Sequence, residues 1–195
     1  GMTSSKHIRP MYSGTDQPAS IRYDHARGPI YGWFSAKGLY RLSLPHTNGT
    51  VERISVLHSG ANDARAGELN AALEKYFAGL RETFVSVPLD LDKATDFQRA
   101  VWEEARCVEW GNSSTYGELA LRMHKPKSAA RAVGHALGQN PIAIVVPCHR
   151  FLGADGSTTG ADDSKTVSVT NDAVARLRIL AQQFGRNADW AESAV

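Results

Sequence analysis

The chain has two cysteines in 195 residues, Cys107 and Cys148, and the second stands in company that could do chemistry. Cys148 follows Pro147 at the end of the apolar run Ile142-Ala143-Ile144-Val145-Val146 and precedes His149-Arg150. A thiolate, not a thiol, is the nucleophile, and a neighbouring imidazole or guanidinium lowers a thiol's pKa. The competing reading is a buried, inert cysteine, the commoner fate of a lone one, because free Cys packs as a small hydrophobe. Adjacency also limits mechanism. Side chains of neighbouring residues diverge, by about half a turn in a strand and roughly 100° in a helix. His149 is therefore not placed to bond Cys148 as in a protease dyad, and a bridging water would have to relay the proton. Cys107, inside a helical stretch, reads as structural. Two cysteines are too few for a disulfide framework and lack the paired spacing of a zinc site, so no metal is expected and a reducing, intracellular setting fits best.

The formal net charge is only +2, so distribution matters more than total. No acidic residue lies between Glu118 and Asp155, whereas Arg122, Lys125, Lys127, Arg131 and Arg150 fall in that interval. Such a stripe can track phosphates on an otherwise near-neutral protein, or it can be a solvated helix face that happens to be basic. No run approaches the roughly 18 to 20 apolar residues of a membrane span, and the polar N-terminus lacks a signal core. Gly1 ahead of Met2 reads as a residue left by tag cleavage.

These residues need elements to position them. Residues 1–17 read as a disordered tail. Residues 18–90 read as a small α/β domain. Its strands are Ile21-Arg22-Tyr23, Ile30 to Phe34 and Leu39 to Leu44, with turns at Gly28-Pro29 and Lys37-Gly38 and a further strand at Val51 to Leu57. Leu69, Leu73, Tyr76, Phe77 and Leu80 then recur at helical spacing over Ala64 to Leu80. Val85 to Leu91 is an extended linker. Residues 91–195 read as mostly helical. Thr95 or Asp96 caps a helix whose apolar face is Phe97, Val101, Ala105 and Val108, and which Gly111 stops. Thr115 caps a short helix from Tyr116 to Met123, Lys125-Pro126 breaks it, and Ser128 caps the next, Ala129 to Leu137. Two short helices joined by a tight turn match a helix-turn-helix. A final amphipathic helix spans Asp172 to Phe184. The expected class is α+β: an antiparallel sheet with a helix, followed by a helical domain containing the helix-turn-helix.

The stretch Asn140-Pro141 through Pro147-Cys148-His149-Arg150 resembles the active-site signature of the O6-alkylguanine-DNA alkyltransferases. The likeness extends through Phe97-Gln98-Arg99-Ala100-Val101-Trp102, Thr115-Tyr116-Gly117-Glu118-Leu119-Ala120 and Ala130-Arg131-Ala132-Val133-Gly134. It is strong over about residues 88 to 156, fair over 20 to 87 and poor after Gly160. The resemblance implies DNA repair by single-turnover transfer of an alkyl group from O6-alkylguanine in duplex DNA to Cys148, without a cofactor, by a monomer. It implies that Arg131 fills the stack vacated by a flipped nucleotide. The recognition helix would enter the minor groove on the small residues Ala129, Ala130, Ala132 and Gly134, with Lys127 and Thr115 beside it on the DNA. Tyr116 would bear on the phosphate and guanine during flipping. Asn140 would tie the recognition helix to the active-site segment, and His149 would assist Cys148. Pro147 and Phe151 would help line the guanine pocket, with the carbonyls of Cys148 and Phe151 accepting from the exocyclic amine.

The likeness breaks after Gly160. The family's Gly-Tyr-x-Gly-Gly segment is replaced by Ala161-Asp162-Asp163-Ser164-Lys165. Pairing Arg176 with the family's helix-start Lys puts Gln183 where the family has the Glu of a Cys-His-water-Glu relay. Gln can hold an imidazole but supplies no charge to stabilise an imidazolium; Glu192 is a candidate substitute. Two other readings follow: a module that binds and flips alkylated guanine without transfer, and a sequence-specific regulator. The regulator lacks dimerisation and ligand features, and the retained Cys148 favours transfer.

Overall fold

Three antiparallel strands open the fold: β1 (Ile21–His25), β2 (Gly28–Phe34) and β3 (Leu39–Ser43), in the order β1-β2-β3. This is a computed structural model, and it describes residues 17–26, 28–45, 51, 53–57, 63–78, 80–109, 112 and 114–153. Gly28-Pro29, expected as a turn, belongs to β2, where Gly28 pairs with His25 and Pro29 with Asp24. The chain turns before them. Gly28 has φ 137°, which a side chain would oppose. Pro29 lies in the part of β2 that β3 does not reach, so its missing N–H removes no bond on that side.

Leu39 and Leu42 both belong to the main core, although a spacing of three puts residues of a regular strand on opposite faces. The register explains it. Trp33 pairs with Arg41 and Phe34 with Leu39, so Tyr40 is an extra residue in β3 and the bulge re-aims the chain. The other sheet face carries Tyr31 and Trp33 under Ala19, Ile54 and Val56. The expected strand at Val51 to Leu57 reduces to a single parallel bridge between Ala19 and Val56.

Helix α1 (Ala64–Phe77) starts at Asp63, whose side chain accepts from the Arg65 N–H, and buries Leu69, Leu73, Tyr76 and Phe77. Leu80, expected on that face, lies beyond the helix end and is exposed. The linker then pairs with β3: Leu39 N–H donates to Pro88 O and Asp90 N–H to Leu39 O. The remaining elements are α2 (Asp96–Ala105), the two-residue β4 (Ser114–Thr115), α3 (Tyr116–Arg122), α4 (Ala130–Gly138) and β5 (Phe151–Leu152). One continuous core runs through both halves, from Ile30 and Leu73 to Trp102, Leu137, Val146 and Phe151. Each large side chain in it contributes roughly 1.5–3 kcal/mol of burial. The fold is α+β. Among the described residues no helix is long and apolar enough to cross a membrane.

Candidate active site and nucleic-acid interface

Both helices that lead into the site begin with a reciprocal cap. Thr95 accepts from Gln98 N–H while the Gln98 side chain accepts from Thr95 N–H, and Thr115 does the same with Glu118. Each pair satisfies two otherwise orphaned donors. Ser114 also donates its hydroxyl to Glu118 at 2.7 Å, and these bonds hold the Glu118 carboxyl below its usual range. Helix α3 ends in a Schellman motif: His124 N–H donates to Leu121 O and Lys125 N–H to Ala120 O. His124 takes the left-handed position at φ 60°, where glycine is usual. Pro126 then leads into a 3-10 turn, Lys127–Ala129, that runs directly into α4. Ser128 therefore does not cap the second helix. It sits inside the turn, and the residue at the cap position, Ala129, already has helical angles.

Behind the helix pair, Trp102 anchors α2 to α4 by donating Nε1–H to Ala136 O at 2.8 Å in the interior. The expected apolar face of α2 omitted Trp102. Val101 and Trp102 are both fully buried, so the helix is enclosed over a wider arc than a stripe of every third or fourth residue suggests.

The basic stripe is thinner than its sequence implies. Arg150 is buried and donates Nη1–H to Val108 O at 2.7 Å, so it faces inward, to the end of the α2 segment. Arg122 pairs with Glu104 at 3.0 Å, and Lys125 lies over the Phe97 ring. Lys127 and Arg131 are exposed. The Lys127 stem runs along Gly117, with Cγ 3.2 Å from where a Cβ there would sit. Ala129 and Ala130 are half-buried, Ala132 is exposed and Gly134 is buried.

Cys148 opens a 3-10 turn, Cys148–Arg150, in which it, His149 and Arg150 are all buried. The apolar run before it is a folded-back turn. Val146 N–H donates to Ile142 O and Val145 N–H to Ala143 O, with Ile144 at φ 73°. A β-branched residue is rarely found there. Asn140, just past α4, clasps both ends of the turn: Nδ2–H donates to Val146 O at 2.8 Å, and Oδ1 accepts from Ile142 N–H at 2.9 Å. From the other side, Leu42 N–H of β3 donates to Pro141 O at 3.0 Å.

Burial pushes the Cys148 thiol pKa up, opposed by hydrogen bonds from the Asn140 side chain and from the Cys148 and His149 N–H groups. The Arg150 guanidinium donates to Val108 O, and the His149 backbone N–H is among the donors to the sulfur. The Cys148 carbonyl accepts the Phe151 N–H, which leaves one lone pair. Phe151 and Leu152 form β5 and run parallel to Ser114 and Thr115 in β4, so the cysteine turn is joined to the cap of α3. Tyr116, the first residue of α3, is 2% exposed, and Phe151 is also buried. Pro147 is buried beside Cys148. Gln183, Glu192, the segment after Gly160 and the expected helix Asp172 to Phe184 lie outside the described residues. Among the described residues, no group of three His, Cys, Asp or Glu side chains could hold a metal.

A helix-turn-helix whose first cap is laddered to a buried, hydrogen-bonded cysteine is the class this fold and site define. Residues 96–176 match the family model of the DNA-binding domain of 6-O-methylguanine DNA methyltransferase. The Haemophilus influenzae methylated-DNA–protein-cysteine methyltransferase is 50% identical over 93 residues, 48% of this chain and 51% of that one. The Shigella flexneri protein of the same name is 39% identical over 127 residues, 65% and 69% of the two chains. The crystal structure of Mycobacterium tuberculosis OGT in complex with DNA is 36% identical, with a TM-score of 0.53 over 80% of this chain and 92% of that one. The chain belongs to the methylated-DNA–protein-cysteine methyltransferase family. Its match spans about half the length of the Haemophilus influenzae relative.

Proposed function

We propose that the protein repairs O6-alkylguanine in duplex DNA by moving the alkyl group to Cys148, once per molecule. The observation that carries this reading is the parallel ladder Ser114↔Phe151 and Thr115↔Leu152, which fixes the cysteine turn to the first helix of the pair. Docking α3 and α4 on DNA would thereby set the position of the sulfur. Arg131, exposed on α4, enters the stack in place of the flipped nucleotide, whose extrusion costs a few kcal/mol. Ala132 on the outer face permits close approach to the minor groove, and Lys127 meets phosphate. The base stacks near Tyr116, Pro147 and Phe151.

The sulfur of Cys148 then attacks the alkyl carbon. A C–S bond forms, the C–O6 bond breaks, and its electron pair stays on guanine, which takes up a proton as the thiol gives one up. His149 and water carry that proton, with Gln183 or a nearby acid behind them. Asn140 holds the turn and donates to the sulfur as negative charge develops. A thioether is not a leaving group, so the protein is consumed, and no cofactor is required.

Incubation with an O6-methylguanine duplex followed by peptide mass spectrometry tests this reading. A gain of one methylene on the Cys148 peptide, absent in Cys148→Ser with DNA binding retained, is the expected result. Binding with no mass gain would make the protein a recognition module, and alkyl recovered on Cys107 would sink the assignment of the nucleophile.

A further inference from the structure

The recognition helix carries a polar residue that none of the roles above uses. Successive residues of an α-helix are about 100° apart. With Arg131 at zero, His135 falls near 40°, Gln139 near 80° and Ala132 near 100°. These four are exposed, whereas Val133, Gly134, Ala136, Leu137 and Gly138 are buried. His135 therefore occupies the middle of the only arc α4 offers to a ligand.

Its neighbours on that arc are less suited to reading a base. Ala132 has no polar side-chain atom, and Gln139, past the end of α4, is tethered to α2, its Oε1 accepting from Gln98 Nε2–H at 2.7 Å. The long cation Arg131 is assigned to the vacated stack. An imidazole, by contrast, has at least one N–H donor in either protonation state. The minor groove shows acceptors on every pair, adenine N3 or thymine O2 among them, but a G·C pair adds the guanine amine, a competing donor. Four residues of helix rise about 6 Å, close to two base-pair steps at roughly 3.4 Å each.

We propose that His135 is a specificity-determining residue. It donates to a minor-groove acceptor within about two base pairs of the extrahelical site and favours A·T there. The inference rests on the docking of α4 proposed above.

Two readouts separate it from that reading: equilibrium binding to undamaged duplexes, and alkyl transfer from O6-methylguanine duplexes. In each, the pairs within two steps of the central guanine are all A·T or all G·C. The wild-type protein should favour A·T flanks by about fivefold in both. His135→Ala should abolish the preference and His135→Gln should keep part of it, while reaction with free O6-benzylguanine stays unchanged in all three. An equal preference in wild type and His135→Ala, or none in wild type, overturns the proposal. A flank preference in binding that follows His135 without any transfer would uphold it and refute the transferase reading instead.

Discussion

Replacing Asn140 with alanine should weaken the protein and move its chemistry to higher pH together. The side chain satisfies Val146 O and Ile142 N–H at 2.8 and 2.9 Å. Both partners belong to buried residues. Truncation orphans the Ile142 N–H, at about 1–3 kcal/mol when water cannot reach it, and takes one bond, worth about 0.5–1.5 kcal/mol, from Val146 O, which keeps the Cys148 N–H. Partial relaxation of the turn brings the expected loss to ~2–4 kcal/mol. A chain of this size loses roughly 2–4 °C of Tm per kcal/mol, which predicts a fall of about 5–12 °C. The same side chain hydrogen-bonds the sulfur and opposes the upward push of burial on the thiol. Its removal makes thiolate scarcer at neutral pH. The rate with O6-benzylguanine should rise with pH in wild type, and the rise should shift to higher pH in Asn140→Ala. Thermal unfolding and single-turnover rates between pH 6 and 10 measure both effects. A Tm within 1 °C of wild type, or an unmoved pH profile, would refute the reasoning. Asn140→Asp discriminates further: it retains an acceptor for Ile142 N–H and loses the donors to Val146 O and the sulfur.

A thiol whose pKa is raised on folding contributes stability that is present below the unfolded value, near 8.5, and is lost as pH rises through the folded one. The stability difference between wild type and Cys148→Ser should therefore shrink in wild type's disfavour above about pH 8.5 in urea titrations; a constant difference up to pH 10.5 would contradict the burial effect. Trp102→Phe removes the buried bond to Ala136 O, which keeps only the Gln139 N–H, and leaves a small cavity; it should cost ~1–3 kcal/mol by urea denaturation. Gly38→Ala would place a Cβ 2.5 Å from Pro88 O; the backbone clash should cost about 1–3 kcal/mol and separate the linker from β3, seen as faster hydrogen exchange at Leu39 and Asp90. His124→Gly should gain ~0.5–1 kcal/mol by relieving the left-handed position, with transfer from free O6-benzylguanine unchanged.

Local chemistry made part of the molecule legible. Thr95-x-x-Gln98 and Thr115-x-x-Glu118 announce helix starts because a cap needs only residues three apart. The period of Leu69, Leu73 and Tyr76 likewise identifies α1 without outside information. Ser128 misled because the same hydroxyl suits a cap or a 3-10 turn, and Pro126 decided between them. Arg150 misled because its partner, Val108 O, is distant in sequence. Ile144 carries no signal of its left-handed backbone, since nothing in a β-branched side chain favours it; the clasp of Asn140 and the bond from Leu42 impose it. His135 was visible in principle. It stands four residues after Arg131, and that spacing alone places the two on one face.

The outer edge of β3 bonds to two carbonyls, Pro88 O at Leu39 and Pro141 O at Leu42. The second contact joins residues roughly a hundred positions apart, and long-range pairings of this kind form slowly because loop closure precedes any reward. During synthesis the sheet is complete while residues 141–148 are still unmade. The Cys148 turn is thus assembled after the sheet, on a template already folded. A chain interrupted before that stage would carry the sheet and the helix pair without the cysteine turn. Substitutions that weaken β3 should accordingly lower the yield of reactive protein more than they lower the rate of the molecules that finish.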